Sequence, residues 1–592
     1  MSGFAGYLER AGGAVSATER AHLDAGLAGL SRDSRDTIRT LRAGRVALAG
    51  YILTPGSAHL ELGGDTATMI VGDPVYCESD DSAAASPADG FARLAECLAG
   101  QGDAALLRTR GEFVAVSLRA DGSLRLASSH CGTRPLHIYQ DDDLVAFATN
   151  QRTLAAMLPT RLRMDPIFAA EILTTGTRSC RGTPFADTIR LRDAETVTVD
   201  DAGLRRRRWF DWADLQIADR SYDDTLDLIE RRFLNAVRRR LRNTDARTYA
   251  ALSGGLDSRM VVTALRKLGV PVRTLALGGP GFADNELSKL AAQALSTDHH
   301  IFAVDAGHAL TYAPFSGLVA ANMPRDPGDE AAPLWFGDGG SVMCGHVYMD
   351  TQSIDHFATA SPEARAEEMM KETEETANLL DASTRDRNLA GLARRLREEY
   401  QDADRAPPDN RQRLYLLRTD QQWHADGWFE HIDIFRSAEC MPFFDADYIR
   451  AVMESPPAHF LMHRLQNDLL NRLDPAAYNV PWQVYPGHLP GPAPLPEGLR
   501  KQWDSGVRAR DMFRQAWREN LDALAASPRR DIRRPIARTR LALARILVRT
   551  PLYHRFFIER LALYARFLRI VPFTRATISF GPEIPHEHYP PN

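Results

Sequence analysis

Residues Ser253-Gly254-Gly255-Leu256-Asp257-Ser258 constrain this chain more than any other stretch. They stand between an apolar run, Tyr249–Leu252, and a run with helical periodicity, Met260–Gly269. A strand, a glycine-rich turn and a helix start in that order make a cradle for a pyrophosphate group. Glycines lack Cβ atoms, so backbone N–H groups can close around phosphate oxygens. The helix N-terminus adds partial positive charge, and Ser253 and Ser258 add hydroxyl donors. Asp257 repels phosphate unless a cation stands between them, and Mg²⁺ bound to nucleotide phosphates is the usual one. A plain Gly-Gly turn capped by Asp and Ser is the simpler alternative, which the full hexapeptide in this setting disfavours.

Downstream, Val272–Leu277 reads as a second strand, Asn285–Leu295 as a helix and His300–Val304 as a third strand. Alternating β and α segments at this spacing predict a parallel sheet, with a ligand at the carboxyl end of the first strand. Upstream, short alternating runs such as Val46–Ile52, Glu112–Leu118 and Ser123–Ala127 predict a β-rich region. Helical segments near 18–28 and 88–99 interrupt it.

At 592 residues the chain has room for two to four domains. A net charge of −5 implies no global field for nucleic acid or membrane, and no nucleic acid partner is expected. Six cysteines without CxxC spacing argue for a reducing compartment and against a zinc site or a disulfide framework. The N-terminus reads without a signal peptide and no apolar run is long enough to span a membrane. With ATP chemistry, the expected location is the cytoplasm. The only lysines are Lys267, Lys289, Lys371 and Lys501.

The hexapeptide resembles the pyrophosphatase loop of ATP-dependent ligases that release AMP and pyrophosphate. The stretch from Gly111, with its best match at Gly132-Thr-Arg-Pro-Leu136, is similar to the glutaminase domain of class II amidotransferases. Followed by SGGLDS, this is the domain order of the asparagine synthetase family. The resemblance implies an Ntn-hydrolase-like αββα sandwich over residues 1–205. It implies a PP-loop α/β domain with a parallel sheet, adenine nucleotide α-hydrolase-like, over 221–500. An Arg-rich helical extension fills 501–592. The cofactors it implies are ATP and Mg²⁺, and the partners are a small-molecule or peptide carboxylate and an amine; a homodimer is compatible with it.

Several family positions are altered. The nucleophilic cysteine that follows the initiator methionine is Ser2 here, the RGPD motif falls near Ser31–Asp36, and the oxyanion motif falls near Gly72–Tyr76 without its asparagine. These losses together predict a dead glutaminase. Phe336–Gly345 aligns with the family's S-G-E-G-A-D-E-L-F-G-G, which places Asp338 on the glutamate and Ser341 on a metal-binding aspartate. The resemblance therefore assigns nucleotide binding to Leu252, Ser253, Gly254, Gly255, Leu256, Asp257, Ser258, Leu277 and Gly337. It assigns metal binding to Asp257 and Ser341. The catalytic candidates are Asp338, Glu439 and, as the one lysine after Lys371, Lys501. Glu286 falls on an acidic family position, and Asp445 reads as a helix N-cap.

Missing glutaminase parts favour an amine other than ammonia, as in β-lactam synthetases and lasso-peptide cyclases. An ammonia-dependent asparagine synthetase and a non-catalytic scaffold are the alternatives. Arg205–Arg208 reads as a solvated turn in a linker, and 361–411 as a solvent-facing charged insertion. Thirteen arginines between Arg529 and Arg575 face only Asp531 and Glu559. The expectation is a helical appendage on the synthetase domain; an anionic membrane surface or an acidic partner is the alternative.

Overall fold

The computed structural model describes residues 2–570, apart from 54–57, 64, 80–81, 101, 178, 242–246, 279–282, 304–318, 321, 330–331, 431, 500–506, 528 and 555. Twelve strands build the first part: β1 Gly3–Glu9, β2 Arg39–Ala43, β3 Val46–Tyr51, β4 Ala58–Gly63, β5 Thr66–Gly72, β6 Phe113–Leu118, β7 Leu124–Ser128, β8 His137–Gln140, β9 Leu144–Ala148, β10 Thr188–Arg190, β11 Glu195–Asp200 and β12 Gly203–Arg208. They form two six-stranded antiparallel sheets, in the orders β10-β8-β9-β1-β3-β2 and β12-β11-β7-β6-β5-β4.

Period-2 alternation explains the layers. In β1, Phe4 and Leu8 point into the core between the sheets, with Leu48, Met69, Val114 and Val116. Ala5 and Tyr7 point the other way, onto Leu23, Leu27, Leu154 and Met157 of the helices Ala17–Ala28 and Gln151–Met157. In β6, Phe113 and Ala115 likewise turn outward to Phe91, Leu94 and Leu98 of the helix Pro87–Ala99. The result is a helix–sheet–sheet–helix sandwich, the αββα arrangement expected. Burial of each large apolar side chain contributes about 1.5–3 kcal/mol.

The second part is a five-stranded sheet of β13 Thr248–Ala251, β14 Val272–Gly278, β15 Asp298–Ala303, β16 Leu334–Trp335 and β17 Glu439–Cys440, in the order β15-β14-β13-β16-β17. Every pairing is parallel, again as expected. The helix Leu256–Lys267 leaves β13 through the turn at Ser253–Gly255, and Ala283–Leu295 joins β14 to β15.

Three sequence expectations change. Arg205–Arg208 is not a solvated turn but the edge strand β12. Alternate arginines find carboxylates on both sides, with Arg206 on Glu195 and Arg207 on Asp103, and charge suits an edge. The insertion is not wholly solvent-facing: Leu392, Leu396, Tyr400 and Ala403 form one buried stripe of the helix Arg385–Ala403. The C-terminal helices pack Leu521, Ile532, Leu541, Ile558 and Tyr564 onto Phe168, Ile172 and Leu173 of the helix Pro166–Thr175, which belongs to the first part.

Arginine–carboxylate clusters hold the two parts together. Arg32 grips Asp433 at 2.7 Å, and Arg152 reaches the same carboxylate at 3.3 Å. The backbone N–H groups of Gln151 and Arg152 donate to Glu430. Arg190 bridges the Gly132 and Thr133 carbonyl oxygens to Gln422 and Asp426. Asp433 is almost fully enclosed, and its arginines hold it well below the usual carboxylate range. A depressed carboxylate stabilises the fold above its unfolded value near 4, and this is lost as acid protonates the folded form. Asp433→Ala takes the shared carboxylate away from buried Arg152 and half-buried Arg32. Urea unfolding at pH 7 is expected to show a loss of about 3–5 kcal/mol.

Candidate active site

The turn after β13 is braced from within. Ser253 N–H donates to Ser258 Oγ at 2.9 Å, and Gly255 N–H donates to Ser253 Oγ at 3.2 Å. Gly254 N–H donates to Asp284 Oδ1 at 3.0 Å, and Gln483 Nε2 donates to the same oxygen at 2.6 Å. A phosphate oxygen entering this turn competes with Asp284 for the Gly254 amide. The helix Leu256–Lys267 starts at Gly255 without a side-chain cap, so its first amides have no such competitor from a capping side chain.

Asp257 lies in the first turn of that helix, beneath a second loop. Ser341 Oγ donates to its Oδ2, and Gln466 Nε2 donates to its Oδ1 at 2.6 Å. The second loop approaches so closely that only glycine fits. A Cβ on Gly337 would meet Ser258 N at 2.4 Å, and one on Gly340 would meet Asp257 Oδ1 at 2.6 Å. Protein encloses the carboxylate on every side but the cavity, and this raises its pKa to about 6 against the pull of Ser341 and Gln466. Among the described residues no cation pairs with it.

A cavity of about 410 Å³ opens at the carboxyl ends of β13 and β14, which is within the range of ligand pockets. Of the residues expected to bind nucleotide, Leu252, Ser253, Asp257, Ser258, Leu277 and Gly337 line it. Gly254 and Gly255 shape the turn without lining the cavity, and the Leu256 side chain is buried in the core. Ser341, Asp338 and Glu439 also line it. Asp338 opens onto the cavity. Glu439 is buried, its Oε2 has no hydrogen-bond partner, and burial beside Asp338 pushes it well above the usual carboxylate range. Lys501 lies outside the described residues.

Sequence reasoning missed several residues here. Asp284, not Glu286, reaches the turn; Glu286 pairs with Lys289 at the surface. Gln466, His424 and Tyr485 are the others. The hydrogen bond to Asp420 raises the His424 pKa. None belongs to a motif, so only the fold brings them together. Arg464 stacks over Tyr222 at 4.2 Å and takes no part. His299 sits between Thr274 and Ser288 as a packing group. Asp445 caps the helix Ala446–Met453 as expected.

Mg²⁺ uses one or two carboxylates together with substrate phosphates. Asp257, enclosed without a cationic partner, fits that demand. No group of three His, Cys, Asp or Glu side chains forms a cage among the described residues.

A sequence model of the asparagine synthase family matches residues 228–473, so this segment is similar to that family. No curated protein matches the chain. Among solved structures, one match is the glutamine phosphoribosylpyrophosphate (PRPP) amidotransferase from B. subtilis complexed with ADP and GMP. It has 10% identity, a TM-score of 0.22, and coverage of 46% of this chain and 65% of that one. The match therefore spans just under two thirds of that protein's length. Another is titled the structure of the allosteric regulatory enzyme of purine biosynthesis. It has 9% identity, a TM-score of 0.24, and coverage of 53% and 82%. Among the described residues no helix is long and apolar enough to cross a membrane.

A raised aspartate destabilises the empty fold as pH climbs, because the unfolded chain ionises at lower pH. Asp257→Asn is expected to stabilise the ligand-free protein by about 1–3 kcal/mol above pH 7. The gain disappears below about pH 4, where both side chains are neutral. Unfolding curves of the two proteins across pH check this.

Proposed function

We propose that this chain is an AMP-forming, ATP-dependent carbon–nitrogen ligase that works without hydrolysing glutamine. The observation that carries the reading is Asp257, enclosed beneath a glycine turn and held by Ser341 and Gln466, with no cationic side chain paired to it among the described residues. A substrate carboxylate oxygen attacks the α-phosphorus of ATP, and pyrophosphate leaves with the bonding electron pair. An amine nitrogen then attacks the acyl carbon, AMP leaves, and the nitrogen loses a proton. Adenylation replaces a poor leaving group, hydroxide, with a good one.

The chain's own groups divide the work. Ser253, Ser258 and the first amides of the helix Leu256–Lys267 bind the pyrophosphate portion. Leu252 and Leu277 pack against the nucleotide. Asp257, with Ser341 beside it, would hold Mg²⁺, which when bound would supply positive charge close to the phosphates. Asp338 and Glu439 give a cationic amine the two carboxylates it needs for binding, and Asp338 takes the proton as nitrogen becomes a nucleophile.

Ser2 supports the absence of glutaminase chemistry. It is buried, and its Oγ accepts the Leu53 N–H at 3.0 Å. Without an ammonia source the amine is tethered or internal, as in a macrolactam or β-lactam-type cyclase or a tailoring ligase. A cytoplasmic location suits six cysteines that form no disulfide and the need for ATP. The alternative of a non-catalytic scaffold draws on Ser341 in place of an aspartate and on Asp284 at the Gly254 amide.

ATP–pyrophosphate exchange with a panel of carboxylic acids separates these readings. Exchange with at least one acid is expected, and Asp257→Ala is expected to lower it by about a hundredfold or more. A protein that binds no ATP and exchanges with no acid is a scaffold. Glutamate formation from glutamine that Ser2→Ala abolishes would overturn the glutaminase reading.

A further inference from the structure

A second cavity of about 410 Å³ lies at the seam between the two parts, far in sequence from the glycine turn. The β11–β12 hairpin walls one side, and Asp402 and Arg405, at the end of the helix Arg385–Ala403, wall the other. Arginines dominate the lining, and nearly all are committed. Arg206 lies on Glu195 at 2.6 Å, and Arg208 and Arg405 lie on Asp211 at 2.8 and 2.7 Å. Arg207 holds Asp103 from the rim. Behind them, Arg181 and Arg418 take up Asp402, at 2.8 and 3.1 Å.

Arg192 is the exception. It lines the same cavity and is half-buried, yet its guanidinium meets no carboxylate and makes no hydrogen bond among the described residues. Its neighbour Glu195 is already used twice, by the Arg206 side chain and by the Arg192 backbone N–H. Arg181 close by pushes the Arg192 pKa down by like-charge repulsion, and burial adds to it. Glu399 and Asp402 act on it from a distance and offset part of this, yet neither pairs with it directly. An arginine fork matches carboxylate and phosphate geometry, and the rim arginines keep N–H donors that their own ion pairs do not use.

We propose that this cavity is a binding site for a small phosphoryl-bearing anion, with Arg192 as the primary contact and Arg206 and Arg207 at the rim. Phosphate fits better than a lone carboxylate because its second charge and its third oxygen answer the rim arginines as well as Arg192. The ligand would bridge the β11–β12 hairpin and the Asp402–Arg405 turn, and so fasten the seam. The site stands apart from the proposed ligase chemistry and does not depend on it.

Isothermal titration of the full chain tests the proposal, with inorganic phosphate, pyrophosphate and glycerol phosphate as probes. Succinate is the carboxylate control, and ionic strength is fixed with chloride. Saturable phosphate binding is expected, about tenfold to a hundredfold weaker in Arg192→Gln, in line with the loss of hydrogen bonds to a charged group. Glycerol phosphate binding tighter than phosphate identifies an esterified ligand, and the reverse identifies a free anion. In chloride alone, Arg192→Gln is expected to melt at or above the wild-type temperature, since it breaks no ion pair and relieves repulsion from Arg181. No saturable binding, equal binding by the variant, succinate binding as tightly as phosphate, or a lower melting temperature of the ligand-free variant would each overturn the proposal.

Discussion

The pocket keeps its shape because one helix, Asp420–Glu430, is held from behind. Its residues Gln421, His424, Ala425 and Trp428 line the cavity. Its residues Gln422, Asp426 and Glu430 grip the N-terminal sandwich through Arg190, the Cys131 carbonyl and the amides of Gln151 and Arg152. Spacings of three and four put each set on its own face. The buried Arg–carboxylate clusters at this seam are costly to desolvate, and each is strongly destabilising to break because a lone charge then stays buried. They set the orientation of the sandwich against the parallel sheet.

This gives the N-terminal part a structural account that does not need catalysis. Ser31–Asp36, where the family resemblance places a substrate motif, serves here as a dock: Arg436 meets Asp33 and Asp36 at 2.7 and 2.9 Å, next to the Arg32–Asp433 pair. The Gly132–Leu136 turn is used in the same way, with Arg134 stacked over Phe429 at 4.6 Å. The C-terminal helices extend the principle by covering the helix Pro166–Thr175.

Inside the pocket the electrostatics run in one direction. Asp257, Asp338 and Glu439 all have raised pKa values, with loss of solvent the leading cause for each, although Asp338 stays open to the cavity while Glu439 is buried. Carboxylates raised together in one cleft mark a place that awaits positive charge. The seam cavity is the inverse case, with arginine in excess and one guanidinium unmatched. The same chain thus holds two regions of unbalanced charge, of opposite sign.

Much of the architecture was legible in the sequence. The strands and helices around SGGLDS follow from apolar runs and turn residues, which are local signals. The parallel sheet follows from their order and spacing, and the β-rich first part from its period, while the sandwich was expected only from the family resemblance. Asp257, Asp338 and Ser341 were legible because they sit in contiguous motifs. What only the tertiary structure decided is which distant groups meet them. Asp284, Gln466 and His424 come from three separate helices, and the glycines at 337 and 340 matter only because another loop presses on them. Arg205–Arg208 and the helix Arg385–Ala403 were misread for the same reason. A charged run shows its charge in sequence, but whether it is solvated depends on carboxylates and apolar partners supplied from elsewhere in the fold.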